Sequence, residues 1–210
     1  MNNRISARLT SRILTDDADR QAFTLSFNSV GRVMGGTFQI PEEYLRRATE
    51  RGFFKNGEMV AGYIFNTSAP FRIESHIPDE ALIALQQLGY LIEATSCELT
   101  CMWMRKGRLT KFERNAVYFR STLDTFRAKK RYVIAGSAVE VLARKQKLTL
   151  PRTIYNGPSS KGGTLEIYYA TRYTMIIRIA AIAIATYSRD SLRLLRDHAL
   201  AFFHFRDPTV

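Results

Sequence analysis

The sequence predicts a mixed α/β (α+β) fold in a single domain, and three observations carry that reading. Cys97 to Lys147 runs CELTCMWMRK, GRLTKFERNAVYFRSTLDTFRAKKR, YVIAGSAV, EVLARKQK, which reads as strand, basic turn, long helix, strand, helix. Two strands joined through a helix make a crossover unit, which pairs its strands in parallel with a right-handed connection. GFFK, Asn56-Gly57 and EMVAGYIFNT form a hairpin signal, because Asn-Gly suits a tight turn with two positive φ values. The chain of 210 residues is 46% hydrophobic, enough for one core and too apolar for a disordered segment.

Taken in order, residues 1–12 are polar and basic. Ile13 and Leu14 close a short strand, and Thr15, Asp16 and Asp17 offer N-caps to a helix that ends at Gly35 and Gly36. Pro41, Glu42 and Glu43 read as the first turn of a second helix, EEYLRRATER, stopping at Gly52. After the hairpin comes a loop with Pro70 and Pro78, then a short helix over Asp79–Leu88. In the long helix, Phe112, Ala116, Phe119, Leu123 and Phe126 recur at helical spacing and predict the face turned to the core. LTLPRTIYNGPSSKGG reads as loop and TLEIYY as a strand. ATRYTMIIRIAAIAIATYS fits a strand or a buried helix equally well. SRDSLRLLRDHALAFFHF reads as a separate amphipathic helix capped by Ser188 or Asp190, with Leu192, Leu195, Ala199 and Phe202 near one face. GPSSKGGT resembles a nucleotide phosphate loop only superficially, since Gly163 stands where the lysine must be and a strand follows.

The net charge of +12 is concentrated: residues 105–152 hold 14 Lys and Arg against Glu113, Asp124 and Glu140. Arg105, Lys106, Arg108 and Lys111 gather where the long helix begins, a place that favours an anion. Cys97 and Cys101 are the only cysteines and sit too far apart on a regular strand to bridge, which suits a reducing cytoplasm. His76, His198 and His204 lack ligand spacing, so no metal site is expected. No signal peptide is visible, and the apolar run Met175–Tyr187, broken by Arg178, is too short to span a bilayer; no stable membrane insertion is expected.

The order strand, two helices, hairpin, long strand, basic turn, long helix, strand, helix, strand resembles the GCN5-related N-acetyltransferase (GNAT) superfamily over roughly residues 10–175. KNGEMVAGYIF with its small Gly62 is similar to that family's second and third strands. CELTCMWMRKGRLTKFERNAVYFRSTLDTF is similar to the fourth strand, donor loop and third helix, and AGSAVEVLARK to the fifth strand and fourth helix. The resemblance implies a mixed, mostly antiparallel sheet with a splayed central parallel strand pair, flanked by helices. Residues 1–210 then form one domain, with residues 176–210 a C-terminal extension carrying an amphipathic helix.

It also implies an acyl donor held as a pantetheine thioester. Cys101, Met102, Trp103 and Met104 would face the donor arm, and Arg105, Lys106, Gly107, Arg108, Leu109 and Thr110 would hold its phosphates. Arg108 and Thr110 stand where the family loop has small residues, and Lys147 where its fourth helix often carries tyrosine. These departures point to divergent members, the N-acyl amino acid and acyl-homoserine lactone synthases, whose donor is an acidic acyl carrier protein. Acyl-CoA remains the other donor, with an amine-bearing small molecule as acceptor. Glu98 is the candidate base for the acceptor amine, sharing a face with Thr100, Met102 and Met104 if the strand is regular. Tyr155 and Tyr168 are candidates to protonate the leaving thiolate. The alternative, from charge alone, is a nucleic-acid-binding or regulatory protein on the same fold without catalysis, reading FRAKKRY and ARKQK as phosphate contacts.

Overall fold

The computed structural model describes residues 8–33, 40–137 and 140–204. The order is β1 (Thr10–Ile13), α1 (Asp17–Val33), α2 (Glu42–Arg47), β2 (Thr49–Lys55), β3 (Glu58–Asn66), a short 3-10 helix (Arg72–His76), α3 (Asp79–Gln87), β4 (Ser96–Met104), α4 (Lys111–Arg127), β5 (Tyr132–Ser137), α5 (Glu140–Thr149), β6 (Arg152–Pro158), β7 (Thr164–Thr171) and α6 (Arg172–His204). The seven strands form one sheet in the order β1-β2-β3-β4-β5-β7-β6. All neighbours are antiparallel except the central pair, β4 and β5, which are parallel.

Local chemistry sets several of these boundaries. Asp16 Oδ1 accepts from the Ala18 N–H at 2.7 Å, satisfying one open donor at the start of α1. Asn56 and Gly57 both take positive φ, as the two-residue hairpin between β2 and β3 requires. Thr110 and Glu113 form a reciprocal capping box on α4. Gly62, on β3, must lack a side chain: an added Cβ would lie 2.4 Å from the Phe23 ring on α1.

The sheet separates two helical layers. On one face α1, α2, the 3-10 helix and α3 cover two clusters, one around Phe23, Tyr44, Ile64 and Trp103, the other around Ile73, Leu85, Ile134 and Ile167. On the opposite face α4, α5 and α6 enclose Val60, Leu99, Val117, Ala143, Tyr168 and Met175. A buried ionic cluster ties α4 to the sheet. Asp124 Oδ2 accepts from Arg51 Nε and from the Tyr63 hydroxyl, both at 2.6 Å, and its Oδ1 lies 3.3 Å from Arg120 Nε.

Four sequence expectations change. The buried residues of α4 are Val117, Ser121, Thr122, Asp124 and Thr125, not the Phe stripe; Phe112 is 65% exposed and Phe119 55%. The Asp124 cluster turns that face inward, while Phe112 and Phe126 make edge contacts with Tyr187 and Tyr173 of α6. The second helix stops at Arg47, and Thr49–Lys55 pairs as β2. Arg152–Pro158, read as loop, pairs with β7 as an edge strand. The ambiguous segment gives its first two residues, Ala170 and Thr171, to β7 and is helical from Arg172, running on without a break, so Ser188 lies inside α6 instead of capping a new helix. Gly35 and Gly36 fall outside the described residues, as do the side chains of Asp190, Leu192, Leu195, Ala199 and Phe202. Among the described residues no helix is long and apolar enough to cross a membrane, and no group of three or more His, Cys, Asp or Glu is placed to hold a metal.

Candidate active site

The site follows from a break in the sheet. β4 and β5 pair only at Ser96–Tyr132, Cys97–Val133 and Glu98–Ile134. Beyond Glu98 the strands part, leaving the β5 side of residues 99–104 without a strand partner. Within that stretch the pairing with β3 slips, because Gly62 opposes Trp103 and Ile64 opposes Thr100. The extra residue is a bulge, and Cys101 takes a positive φ of 51°. The bulge resets the alternation. Glu98 shares a face with Cys101 and Trp103, toward α1 and α2, whereas Leu99, Met102 and Met104 face the α4 side. A regular strand would have put Glu98 with Thr100, Met102 and Met104.

On the α1–α2 side, the Glu98 carboxylate is buried and accepts three hydrogen bonds. They come from the Tyr44 hydroxyl at 2.7 Å, the Arg72 N–H at 2.8 Å and the Ile73 N–H at 2.9 Å. Burial pushes its carboxyl above the ordinary value, while these bonds and the Arg72 guanidinium pull it back. Arg72 acts electrostatically on Tyr44, Glu98, Cys101 and His76, forms no ion pair among the described residues, and has a buried Nε without a hydrogen-bond partner. His76 is lowered to about 4 by burial and by Lys161 and Arg72, so it is neutral near pH 7. The tip of the β6–β7 hairpin closes this side: the Ser160 N–H donates to the His76 carbonyl at 3.0 Å and Lys161 Nζ to Ser75 Oγ at 3.2 Å. Burial pushes the Cys101 thiol up to about 11, which keeps it protonated near pH 7.

At the end of β4 the basic turn is held, not loose. Arg105 pairs with Glu58, at the start of β3, and also reaches Ser26 Oγ at 3.3 Å. Arg108 Nη2 lies 3.0 Å from the other oxygen of Glu58. Lys55 donates to Glu113 at 2.8 Å. Gly107 supplies the left-handed residue of the turn at φ 76°, Leu109 is buried beneath it, and Lys106 is exposed. Lys111 and Arg114 then occupy the first turn of α4, where a helix dipole disfavours cations. Such a concentration is relieved by an anion.

The two tyrosines lie on opposite faces of the sheet. Tyr168, opposite Ala135 of β5, is fully buried on the α4–α5 side and its hydroxyl has no partner; the Lys147 ammonium sits 5.2 Å above its ring. Tyr155 packs toward the 3-10 helix and donates to the Pro158 carbonyl at 2.6 Å within its own hairpin. The structure thus places Glu98, buried, at the last rung between β4 and β5, Cys101–Met104 along the parted stretch, and the loop Arg105–Thr110 beyond its far end. Tyr155 lies at the β6–β7 hairpin.

No protein-family model and no curated protein matches the chain. Solved structures do. FeeM, an N-acyl amino acid synthase from uncultured soil microbes, superposes at a TM-score of 0.62 with 15% identity over 80% of this chain and 92% of FeeM. A GNAT-family protein from Desulfovibrio desulfuricans gives 0.53 at 9% identity over 79% and 99%. The structure of yncA from Salmonella typhimurium, with its cofactor acetyl-CoA, gives 0.52 at 14% over 79% and 95%.

The chain has the GNAT fold.

The expected sheet, with a splayed parallel pair at its centre, is therefore present. Reading the sequence alone missed four participants in the GNAT-like opening. Arg72 and Tyr44 reach Glu98 from 26 and 54 residues away, and Glu58 meets Arg105 and Arg108 across the hairpin. Gly136 is the fourth: a Cβ there would lie 2.4 Å from Ile73 Cδ1, so the 3-10 helix packs onto bare backbone of β5. Only the acid next to the Asn-Gly turn, with two basic residues in the loop after β4, left a trace a pattern reader could have followed.

Proposed function

We propose that the protein is an N-acyltransferase that moves an acyl group from a pantetheine thioester to the amine of an amino acid. The observation that carries this is the opening of the sheet past Glu98–Ile134, with a basic loop at the end of β4 and, on the α1–α2 face, Glu98 held by the Arg72 backbone N–H. The backbone of residues 99–104, which has no strand partner on its β5 side, offers amide partners to the pantetheine arm. Lys106, Arg105 and Arg108 and the start of α4 take its phosphates, whether on coenzyme A or on the prosthetic arm of a carrier protein. The carrier protein is acidic, and the cations of residues 105–152 would steer it toward this side.

On the other face the Arg72 guanidinium takes the acceptor carboxylate, giving its orphaned Nε a partner. The acceptor amine then lies against Glu98. The amine nitrogen attacks the thioester carbonyl; a C–N bond forms, the C–S bond breaks, and the amine proton passes to Glu98 directly or through one water. Tyr168, whose hydroxyl is unengaged, supplies the proton to the departing thiolate; Tyr155 is spent on its own hairpin. FeeM, which shares the fold, is an N-acyl amino acid synthase, and that chemistry agrees with a cation beside the amine site.

The test is a product assay: purified protein, long-chain acyl-CoA or acyl carrier protein, and an equimolar mixture of amino acids and simple amines, read by mass spectrometry. N-acyl amino acids formed by wild type and lost in R72A support the reading. Acylation of amines lacking a carboxylate, undiminished in R72A, removes the amino-acid acceptor. No product with either donor removes the transferase.

A further inference from the structure

The outer face of α6 carries no charge over four turns. Tyr173, Ile177 and Ile184 are 58%, 68% and 66% exposed, and Tyr187 continues the row. The opposite face of the same helix is also apolar, with Met175 and Ile179 buried against the domain. A helix apolar on both faces is normally covered on both. Phe112 and Phe119 of α4, both exposed, extend the surface sideways, and the Phe112–Tyr187 contact, with ring centroids 6.2 Å apart, joins the two helices. From Tyr173 to Tyr187 the row is about 21 Å long.

The rim of this surface is cationic. Arg172 and Arg178 flank the row on the two sides of α6, Arg127 lies next to the Phe126–Tyr173 contact, and the basic turn ends immediately before Phe112. A second copy seated face to face would bring these like charges together, which works against association. An anionic bilayer meets both requirements at once, an apolar interior for Ile177 and Ile184 and a negative plane for the arginines.

We propose that the α4–α6 face is a peripheral docking surface for anionic lipid membranes, on which α6 lies parallel to the bilayer plane. This goes beyond acyl transfer and stands without it. Tyrosines at both ends of the row suit the headgroup level. The donor loop would then open at the interface, where long acyl chains and acylated products partition.

The experiment is co-sedimentation of the full chain with vesicles of phosphatidylcholine alone and of phosphatidylcholine with phosphatidylglycerol. Wild type is expected to pellet with the anionic vesicles, several-fold less at high salt and little with the neutral ones. I177D/I184D should abolish pelleting, and R127E/R178E should weaken it several-fold. Helical circular dichroism and the melting temperature of each variant check that it is folded; both pairs of sites are exposed, so little change is expected. Failure of wild type to pellet overturns the proposal. So does a wild-type dimer in analytical ultracentrifugation that I177D/I184D converts to monomer while vesicle binding stays absent, since the face would then belong to a second copy. The product assay above is independent of each outcome.

Discussion

The Tyr44 hydroxyl donates to the Glu98 carboxylate at 2.7 Å, linking α2 to the last paired residue of β4 before the sheet opens. The same carboxylate holds the start of the 3-10 helix through two backbone N–H groups. Truncating it separates two roles. E98A leaves three donors without an acceptor, two of them buried and the Arg72 N–H part-buried, and with each buried one costing about 1–3 kcal/mol, unfolding free energy in urea should fall by about 3 kcal/mol. E98Q retains an amide oxygen as acceptor and should cost less than E98A. If Glu98 also takes the amine proton, E98Q lowers kcat by about 100-fold or more while its donor affinity is unchanged. Turnover by E98Q equal to wild type would leave Glu98 an anchor only.

Glu50 predicts a pH dependence. Both its oxygens are buried without hydrogen bonds and Arg20 Nε is 3.7 Å away; burial raises it to about 7 despite that arginine. Its folded value stands above the unfolded one, so the folded chain holds the extra proton between about pH 4.5 and 7. Stability from this site is present at the acid end of that window and is lost as pH rises through it, by on the order of 2–3 kcal/mol. His76 works the other way. Its folded value is lowered to about 4, so its contribution is lost as pH falls from about 6.5 toward 4. The two slopes oppose each other between about pH 4.5 and 6.5, so in melting curves from pH 4 to 8 E50Q should leave stability rising with pH there and H76Q should leave it falling. A pH profile unchanged in E50Q would remove Glu50 as the titrating group.

Glu58 restrains both loop arginines. E58A should free Arg105 and Arg108 for an anionic donor, tightening coenzyme A binding several-fold at low salt and steepening its salt dependence. The pairs are part-exposed, so E58A should change stability by no more than about 1 kcal/mol. R105A/R108A should weaken binding in both E58A and wild-type backgrounds. Calorimetric titration at two ionic strengths reads all four proteins, and equal affinities throughout would place the phosphates elsewhere.

Asp124 is the counter-ion for a buried arginine. D124N leaves Arg51 without its charge partner, and removing one member of such a pair costs about 3–5 kcal/mol. Y63F removes one hydrogen bond to a charged acceptor and should cost about 1.5–3 kcal/mol. Because both act on one carboxylate, D124N/Y63F should be less destabilised than the sum of the singles in a urea double-mutant cycle.

The local part of this architecture was legible in the residues. Asn56-Gly57, Asp16, Pro41 with two acids, and the crossover from Cys97 to Lys147 each fix a turn, a cap or a strand through their own backbone demands. What escaped was decided across the fold. Helix α4 turns its small and polar face inward because Asp124 meets Arg51 and Tyr63 on distant strands, and the Phe stripe is left at the surface, with Phe112 and Phe126 touching α6 rings. The side-chain phase of β4 changes at Cys101, and a bulge leaves no mark in alternation that already mixes Met, Trp and Cys. Arg152–Pro158 contains Gly157 and a terminal proline, a composition that an edge strand tolerates and that reads as loop.

Three rungs hold β4 to β5, all at one end. Mechanically the sheet is two plates, β1–β4 and β5–β7, joined along a short seam, with α4 running as a strut from the end of one to the start of the other. A guest molecule bonded along residues 99–104 would be an additional rung, turning a seam into a full join. The plates would stiffen when loaded and slacken when empty, and the slowest motion of a catalytic cycle would be the one that unzips the guest. The amide protons of residues 99–104 would report it directly, exchanging faster with solvent in the unloaded protein than in the loaded one.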